Sequence, residues 1–405
     1  MQNTIDAKAA GFDAARLERI TLHIEEKYIN PGKIAGCQIQ VSRKGVTAYS
    51  RNFGLMDKER NRALEDDTIF RIYSMSKPIT SVALMMLYER GMFQLSDPVH
   101  RFIPSWKDQQ VYVSGEGDSM ETKAPNSPIN MRQILSHSGG LSYGGTRHPV
   151  DQVYKKLKIR NDPEETLSSF VDKLSMVPLR FEPGEAWMYS LSTDVCGYLV
   201  EKISGMPFDQ YLESEIFQPL QMKDTSFDIT PEKMSRLSAN YQRMPDKSLG
   251  LFDDPQESSY AGEQKFLSGG GGLLSTTHDY RRFCEMLRRG GELDGVRLLG
   301  SRTLKLMTMN HLKQGRSLYD LAVGIFSETA YEGIGFGLGF AMTIDQKETG
   351  GLSCNDYYWG GAASTVFWVD PLEDIVVIFM TQLMPSQTFD FRGQLKSIVY
   401  SAIND

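Results

Sequence analysis

The sequence predicts an α+β fold: an antiparallel sheet built from both ends of the chain and flanked by helices, with a mainly helical segment inserted between its halves. Three observations carry this. The chain opens on a helical pattern followed by two strand-like runs, it closes on strand-like runs followed by a helical pattern, and the long stretch between is helix-rich. On that reading residues 1–66 and 266–405 form one discontinuous sheet domain and residues 67–265 an inserted helical domain, with a site at their interface.

Residues 12–28 read as an amphipathic helix, with Leu17, Ile20 and Ile24 on one stripe. The runs Ile34 to Val41 and Val46 to Ser50 then flank Arg43-Lys44-Gly45, a hairpin signal. Near the other end Phe336, Leu338, Phe340, Met342 and Ile344 alternate with small or polar residues and predict a strand. Thr365 to Val369 and Ile375 to Met380 flank the turn Asp370-Pro371-Leu372-Glu373-Asp374. Leu395, Ile398, Val399, Ala402 and Ile403 then mark a last helix, so the two terminal helices are expected to cover the sheet. In the middle, Ser114 to Pro128 and Asp246 to Glu263 are polar and turn-rich, as lids or pocket walls are. Ser268-Gly269-Gly270-Gly271-Gly272 lacks the Lys-Ser/Thr ending of a phosphate loop and predicts close backbone packing where the chain re-enters the sheet.

Composition narrows the function classes. A chain of 405 residues with 40% hydrophobic and 23% charged residues can bury a large core, and a net charge of −7 gives no reason to expect nucleic acid or an anionic membrane as partner. The opening residues show no apolar run after a basic start, and the longest apolar runs are strand-length, so the expectation is a soluble cytoplasmic protein with no membrane segment. Cys37, Cys196, Cys284 and Cys354 form no C-x-x-C pair and are expected to be buried thiols; the six scattered histidines show no metal spacing. No metal and no cofactor is called for.

The chemistry centres on Phe70-Arg71-Ile72-Tyr73-Ser74-Met75-Ser76-Lys77-Pro78, an apolar approach, a tight turn and a helix start. Three residues apart on a helix, Ser74 and Lys77 share a face with Cβ atoms about 5–6 Å apart. A serine hydroxyl needs a neighbouring base to become a nucleophile, and a lysine serves when burial disfavours its ammonium form. Ile79, Val82, Ala83, Met86 and Leu87 at helical spacing run this helix into a core, and Pro78 suits its first turn. No other S-x-x-K occurs in the chain. A rival serine stands in Gly140-Leu141-Ser142-Tyr143-Gly144, a formal G-x-S-x-G elbow. That elbow needs a buried strand before it and a helix directly after, whereas Met131 to Leu135 reads as helix and Gly144 to Pro149 as loop, so Ser142 is read as a loop residue.

Two further segments join Ser74. Tyr189 stands just before a helix expected from about Asp194, and Tyr357-Tyr358-Trp359-Gly360-Gly361-Ala362 joins aromatics to paired glycines next to a strand, where a ligand can approach the backbone. Ser74-Met75-Ser76-Lys77, Tyr189-Ser190-Leu191 and Trp359-Gly360-Gly361, in this order, resemble the three signature elements of the serine β-lactamase and penicillin-binding superfamily, and most closely its esterase branch, the family VIII carboxylesterases. Leu135-Ser136-His137-Ser138-Gly139-Gly140-Leu141 and the stretch from Ser268 through Tyr280 extend the likeness.

The resemblance implies a β-lactamase-like fold with Ser74 as nucleophile, Lys77 and Tyr189 as a coupled base pair, and backbone N–H groups of Ser74 and Ala362 as oxyanion hole. It implies Leu191, Tyr358, Trp359, Gly360 and Gly361 along the substrate pocket. Leu191 stands where a β-lactamase usually has asparagine, and Trp359-Gly360-Gly361 where it has Lys-Thr-Gly. Both changes remove partners for an anionic antibiotic and favour neutral acyl groups. The expected function is a cofactor-independent serine carboxylesterase acting on short- to medium-chain esters through an acyl-enzyme. The alternatives are an acyltransferase, β-lactamase or D-amino-acid peptidase at the same site, or a non-catalytic module that binds an acyl ligand. The oligomeric state is left open.

Overall fold

A computed structural model describes residues 5–324 and 329–404; the first four residues of the opening segment lie outside it. The two ends of the chain meet in one eight-stranded antiparallel sheet. From the N-terminal end come β1 (Gly36–Arg43), β2 (Val46–Asp57) and β3 (Arg62–Ala63). Three helices matter in the intervening chain: α1 (Ser76–Glu89), α2 (Ser192–Ser204) and α3 (Thr277–Arg288). From the C-terminal end come β4 (Ile334–Phe336), β5 (Ala341–Thr343), β6 (Tyr357–Gly360), β7 (Val366–Asp370) and β8 (Ile375–Thr381), followed by α4 (Phe391–Ser401). The sheet order is β4-β5-β6-β7-β8-β1-β2-β3. β1 and β8 join the halves with Ile39 opposite Phe379 and Val41 opposite Val377.

Both central strands are buried along their whole length, which requires cover on both faces. The pleat shows what covers each. Phe379 stacks on Phe391 of α4 with ring centroids 4.7 Å apart, and Tyr28 from the N-terminal helical segment meets the same ring at 4.8 Å. The neighbouring Ile378 pairs with Phe367, which packs on Tyr280 of α3 at 5.1 Å. The terminal helices therefore cover one face only, not the whole sheet as expected, and the amphipathic α3 covers the other.

Other expectations need correction. The alternating run 336–344 is two strands: Gly337, Leu338 and Gly339 turn the chain, and Gly339 has φ +95° with space for no Cβ, since Ser81 Oγ would lie 2.2 Å away. Alternation through a tight hairpin looks like one strand because both arms face the same core. The helix expected over 12–28 is broken into Ala14–Leu17, Arg19–Ile24 and a π-helical turn, Glu25–Ile29. Cys37, Cys196 and Cys284 are buried thiols, but Cys354 is exposed. Among the described residues no helix is long and apolar enough to cross a membrane.

Candidate active site

The S-x-x-K segment is fixed from three sides. Phe70–Arg71 pairs with Leu274–Ser275, Ile72 N–H donates to Leu273 O (3.1 Å), and Leu273 N–H donates to Ser76 Oγ (3.1 Å). Tyr280 of α3 donates its hydroxyl to Met75 O at 2.9 Å. Between these anchors Tyr73 takes φ +42°, a backbone region that costs a bulky residue of order 1–3 kcal/mol and persists only where surroundings impose it. The result is a short 3-10 turn, Tyr73–Met75, that leads Ser74 into the head of α1.

Lys77 is 1% exposed and Ser74 7%. Lys77 Nζ lies 3.2 Å from Ser74 Oγ and donates to Gly270 O at 2.5 Å. The glycine stretch thus does what its sequence predicted, with a specific purpose: a Cβ at Gly269 would stand 2.7 Å from Thr193 O, and one at Gly270 2.8 Å from Asp194 Oδ2. Asp194, buried on α2, accepts from Ser268 Oγ (2.5 Å) and Gly270 N–H (3.1 Å), and so holds the carbonyl that holds the lysine.

Tyr189 closes over this pair. Its ring lies 4.6 Å from Lys77 Nζ, and Trp359 Nε1–H donates to its hydroxyl at 3.3 Å. The flanking backbone is tied down on both sides, Met188 N–H to His137 O (3.0 Å) and Leu191 N–H to Ser142 O (3.4 Å). His137 packs against Tyr189 with ring planes tilted by 57° and centroids 5.3 Å apart. Burial and then the Lys77 charge push its pKa well below the ordinary histidine value, so it stands there neutral.

Ser74, Tyr189 and Ala362 open onto one cavity of about 490 Å³, a size suited to a small organic ligand. Ala362 reaches it because Gly361 passes so close to the S-x-x-K segment that a Cβ would lie 2.4 Å from Ile72 O. Opposite, the wall is formed by the loop Ser142 to Thr146, by Arg160, and by Met188, Val323 and Gly324. Neither turn-rich stretch expected as a pocket wall contributes; they form hairpins elsewhere, Val111–Ser114 with Glu121–Lys123 and Asn240–Arg243 with Leu249–Asp253.

Of the residues expected along the pocket, Leu191 is buried behind the Ser142 loop as the residue capping α2. Trp359 is wholly buried behind Tyr189, touching the site through its indole N–H. Tyr358 points to the opposite face of β6, where Arg392 and Lys396 of α4 lie 4.3 and 4.7 Å from its ring and burial raises its pKa to about 12. Successive residues of a strand cannot share a face, so Tyr358 and Trp359 could not both reach one pocket. Gly360 and Gly361 line a separate, smaller depression beside Arg392.

Ser142 does sit on a loop, with helix Met131–Leu135 before it and no strand, yet it lines the cavity. Its hydroxyl accepts from Gly144 N–H at 3.1 Å and bonds Asp151. Burial acts to raise the Asp151 carboxyl, but hydrogen bonds from Thr146 and Ser142 and the charge of Arg180 hold it below its usual range. Tyr143 lines the cavity from inside the G-x-S-x-G elbow, whereas Thr146, Arg160, Met188, Val323 and Gly324 belong to no motif, and only the basic run before Arg160 marks any of them in the sequence. Among the described residues no group of three or more His, Cys, Asp or Glu is placed to hold a metal ion.

An antiparallel sheet from both chain ends, with a serine–lysine helix start packed beneath it, defines the β-lactamase-like class of folds. The chain belongs to the beta-lactamase family, whose sequence profile matches residues 22–399. It is 27% identical over 399 residues to esterase EstB of Burkholderia gladioli, covering 93% of each chain, and 26% identical over 388 residues to the lovastatin esterase of Penicillium rubens, covering 91% of this chain and 94% of that one. The solved structure of EstCE1, described as a hydrolase with promiscuous acyltransferase activity, superimposes with a TM-score of 0.80 at 26% identity over 96% of this chain and 99% of its own.

Proposed function

We propose that the protein is a serine carboxylesterase that cleaves short- to medium-chain esters through an acyl-enzyme on Ser74. The observation that carries this is the 3.2 Å approach of Lys77 Nζ to Ser74 Oγ inside a mostly apolar cavity that also holds Tyr189 and Ala362. In this reading Ser74 Oγ attacks the ester carbonyl as its proton passes to the coupled Lys77–Tyr189 pair. The oxyanion is held by the N–H groups of Ser74 and Ala362, Tyr189 protonates the departing alcohol, and water entering the same position releases the acid. Trp359 acts behind Tyr189, orienting the phenol, and no cofactor is required.

The esterases among the relatives support hydrolysis, and EstCE1 favours a second reading in which an alcohol replaces water as acceptor. Hydrolysis of 4-nitrophenyl butyrate by wild type, Ser74→Ala and Ser142→Ala decides the nucleophile, with intact mass showing one acyl group on Ser74. Full activity in Ser74→Ala would overturn the assignment; added alcohols competing with water would shift the reading to transfer. The cytoplasmic location belongs to the same proposal and is checked by cell fractionation.

A further inference from the structure

Among the described residues Arg160 is the one charged side chain in the wall of the cavity onto which Ser74 opens. Its backbone takes φ +61°, a left-handed conformation uncommon for a residue other than glycine. That conformation is held by Arg160 N–H donating to Glu165 Oε2 at 2.6 Å, with Glu165 buried and paired to Lys173. The guanidinium lies 5.5 Å from the ring of Phe266, itself packed on Phe170. Two acids influence it from beyond ion-pair distance: Asp194, whose Oδ1 accepts from Ser268 and Gly270 while its buried Oδ2 has no hydrogen-bond partner among the described residues, and Glu165, which binds Lys173 and the Arg160 backbone. Among the described residues no carboxylate stands within ion-pair distance of the guanidinium.

The surroundings reinforce this charge. Residues 147–160 contain Arg147, Lys155, Lys156, Lys158 and Arg160 against one acid, Asp151, which Arg180 already neutralises at 3.1 Å. Of these, Lys155 reaches the cavity wall, its Nζ donating to Thr146 O at 3.4 Å, and the acids that follow, Asp162, Glu164 and Glu165, are paired with Lys173 and Lys265; positive charge beside a cleft attracts anions. A planar guanidinium beside an apolar cavity offers a carboxylate two parallel hydrogen bonds while the cavity takes the carbon chain.

We propose that the site selects esters carrying a carboxylate a few carbon atoms from the scissile carbonyl, with Arg160 receiving that carboxylate. This rests on the esterase reading for turnover but not for binding. On the acyl side, the test compares kcat/KM for the 4-nitrophenyl monoester of adipic acid with that for 4-nitrophenyl hexanoate. On the alcohol side, it compares the butyrate ester of 4-hydroxybenzoate with 4-methylphenyl butyrate. One pair should show an anion-to-neutral ratio that drops at least about tenfold in Arg160→Gln and is partly kept in Arg160→Lys, the size expected of a charge-assisted hydrogen bond; the pair that responds identifies the side. A ratio unchanged by Arg160→Gln in both pairs overturns the proposal. Binding of monomethyl adipate and methyl hexanoate to Ser74→Ala, with and without Arg160→Gln, separates the two ideas. If no ester is turned over, the esterase reading falls, while a preference for monomethyl adipate that needs Arg160 still upholds the inference and equal binding still overturns it.

Discussion

Ser74 and Ser142 face the same cavity from two differently built segments. Ser74 sits in a 3-10 turn at the head of a buried helix, with a lysine amine 3.2 Å from its hydroxyl and three elements fixing the backbone around it. Ser142 sits in a loop, bonded to the backbone of Gly144 and to Asp151, whose carboxyl is held below its usual range and is a correspondingly weak base. The same side chain therefore meets a lysine amine in one place and a structural anchor in the other. Exposure to a cavity does not make a nucleophile; the neighbour's proton affinity does.

The sharpest break of this comparison is the pair of serine variants. Ser74→Ala should lower kcat for an activated ester by roughly 10³-fold or more, as loss of a nucleophile does, whereas Ser142→Ala should change kcat/KM by less than about tenfold, both read from nitrophenol release. Equal losses would erase the distinction.

Next comes the anchor behind Ser142. Asp151→Asn leaves Arg180, itself nearly buried, without its counter-charge and should cost about 3 kcal/mol of stability. Urea unfolding at neutral pH measures it. The sign with pH follows from the lowered carboxyl: its contribution is present above the unfolded value near about 3.9 and is lost as pH falls through the lower folded value, so the variant should show a flatter acid limb.

Tyr189→Phe keeps the ring over Lys77 but removes the hydroxyl that meets Trp359, and should lower kcat by about 10²-fold with little change in stability. The smallest effect concerns His137, which the fold keeps neutral. Below an unfolded value near about 6.5 the unfolded chain takes up a proton that the folded chain refuses. Stability should therefore fall with decreasing pH by at most about 1.4 kcal/mol per unit until the folded value is reached. His137→Asn, compatible with the local φ of +56°, should remove that slope in urea titrations at pH 5 to 7.

Much of the architecture was legible because its signals are local. The hairpin of β1 and β2, the turn between β7 and β8 and the closing helix each declared themselves in fewer than twenty residues of pattern. The errors came where two distant pieces had to be weighed together. The run 336–344 alternated faithfully, but the close approach of Ser81 to Gly339 marks a turn that no alternation reveals. The helix on the second sheet face leaves no such local mark, because which helix covers which face depends on register across the whole sheet.

The site divides in the same way. Helical spacing alone places Lys77 beside Ser74, and strand pleating alone forbids Tyr358 and Trp359 from sharing a pocket. The sequence by itself thus determined the serine–lysine pair, the strand ends and the glycines that let backbone approach backbone, because these follow from geometry within a few bonds. Only the tertiary structure decided that Tyr189 closes over Lys77, that Ser142 joins the cavity without a base, and that Arg160 supplies its charge. Those residues meet through long-range packing, whose energy depends on surfaces buried between distant segments and leaves no periodic trace in either one.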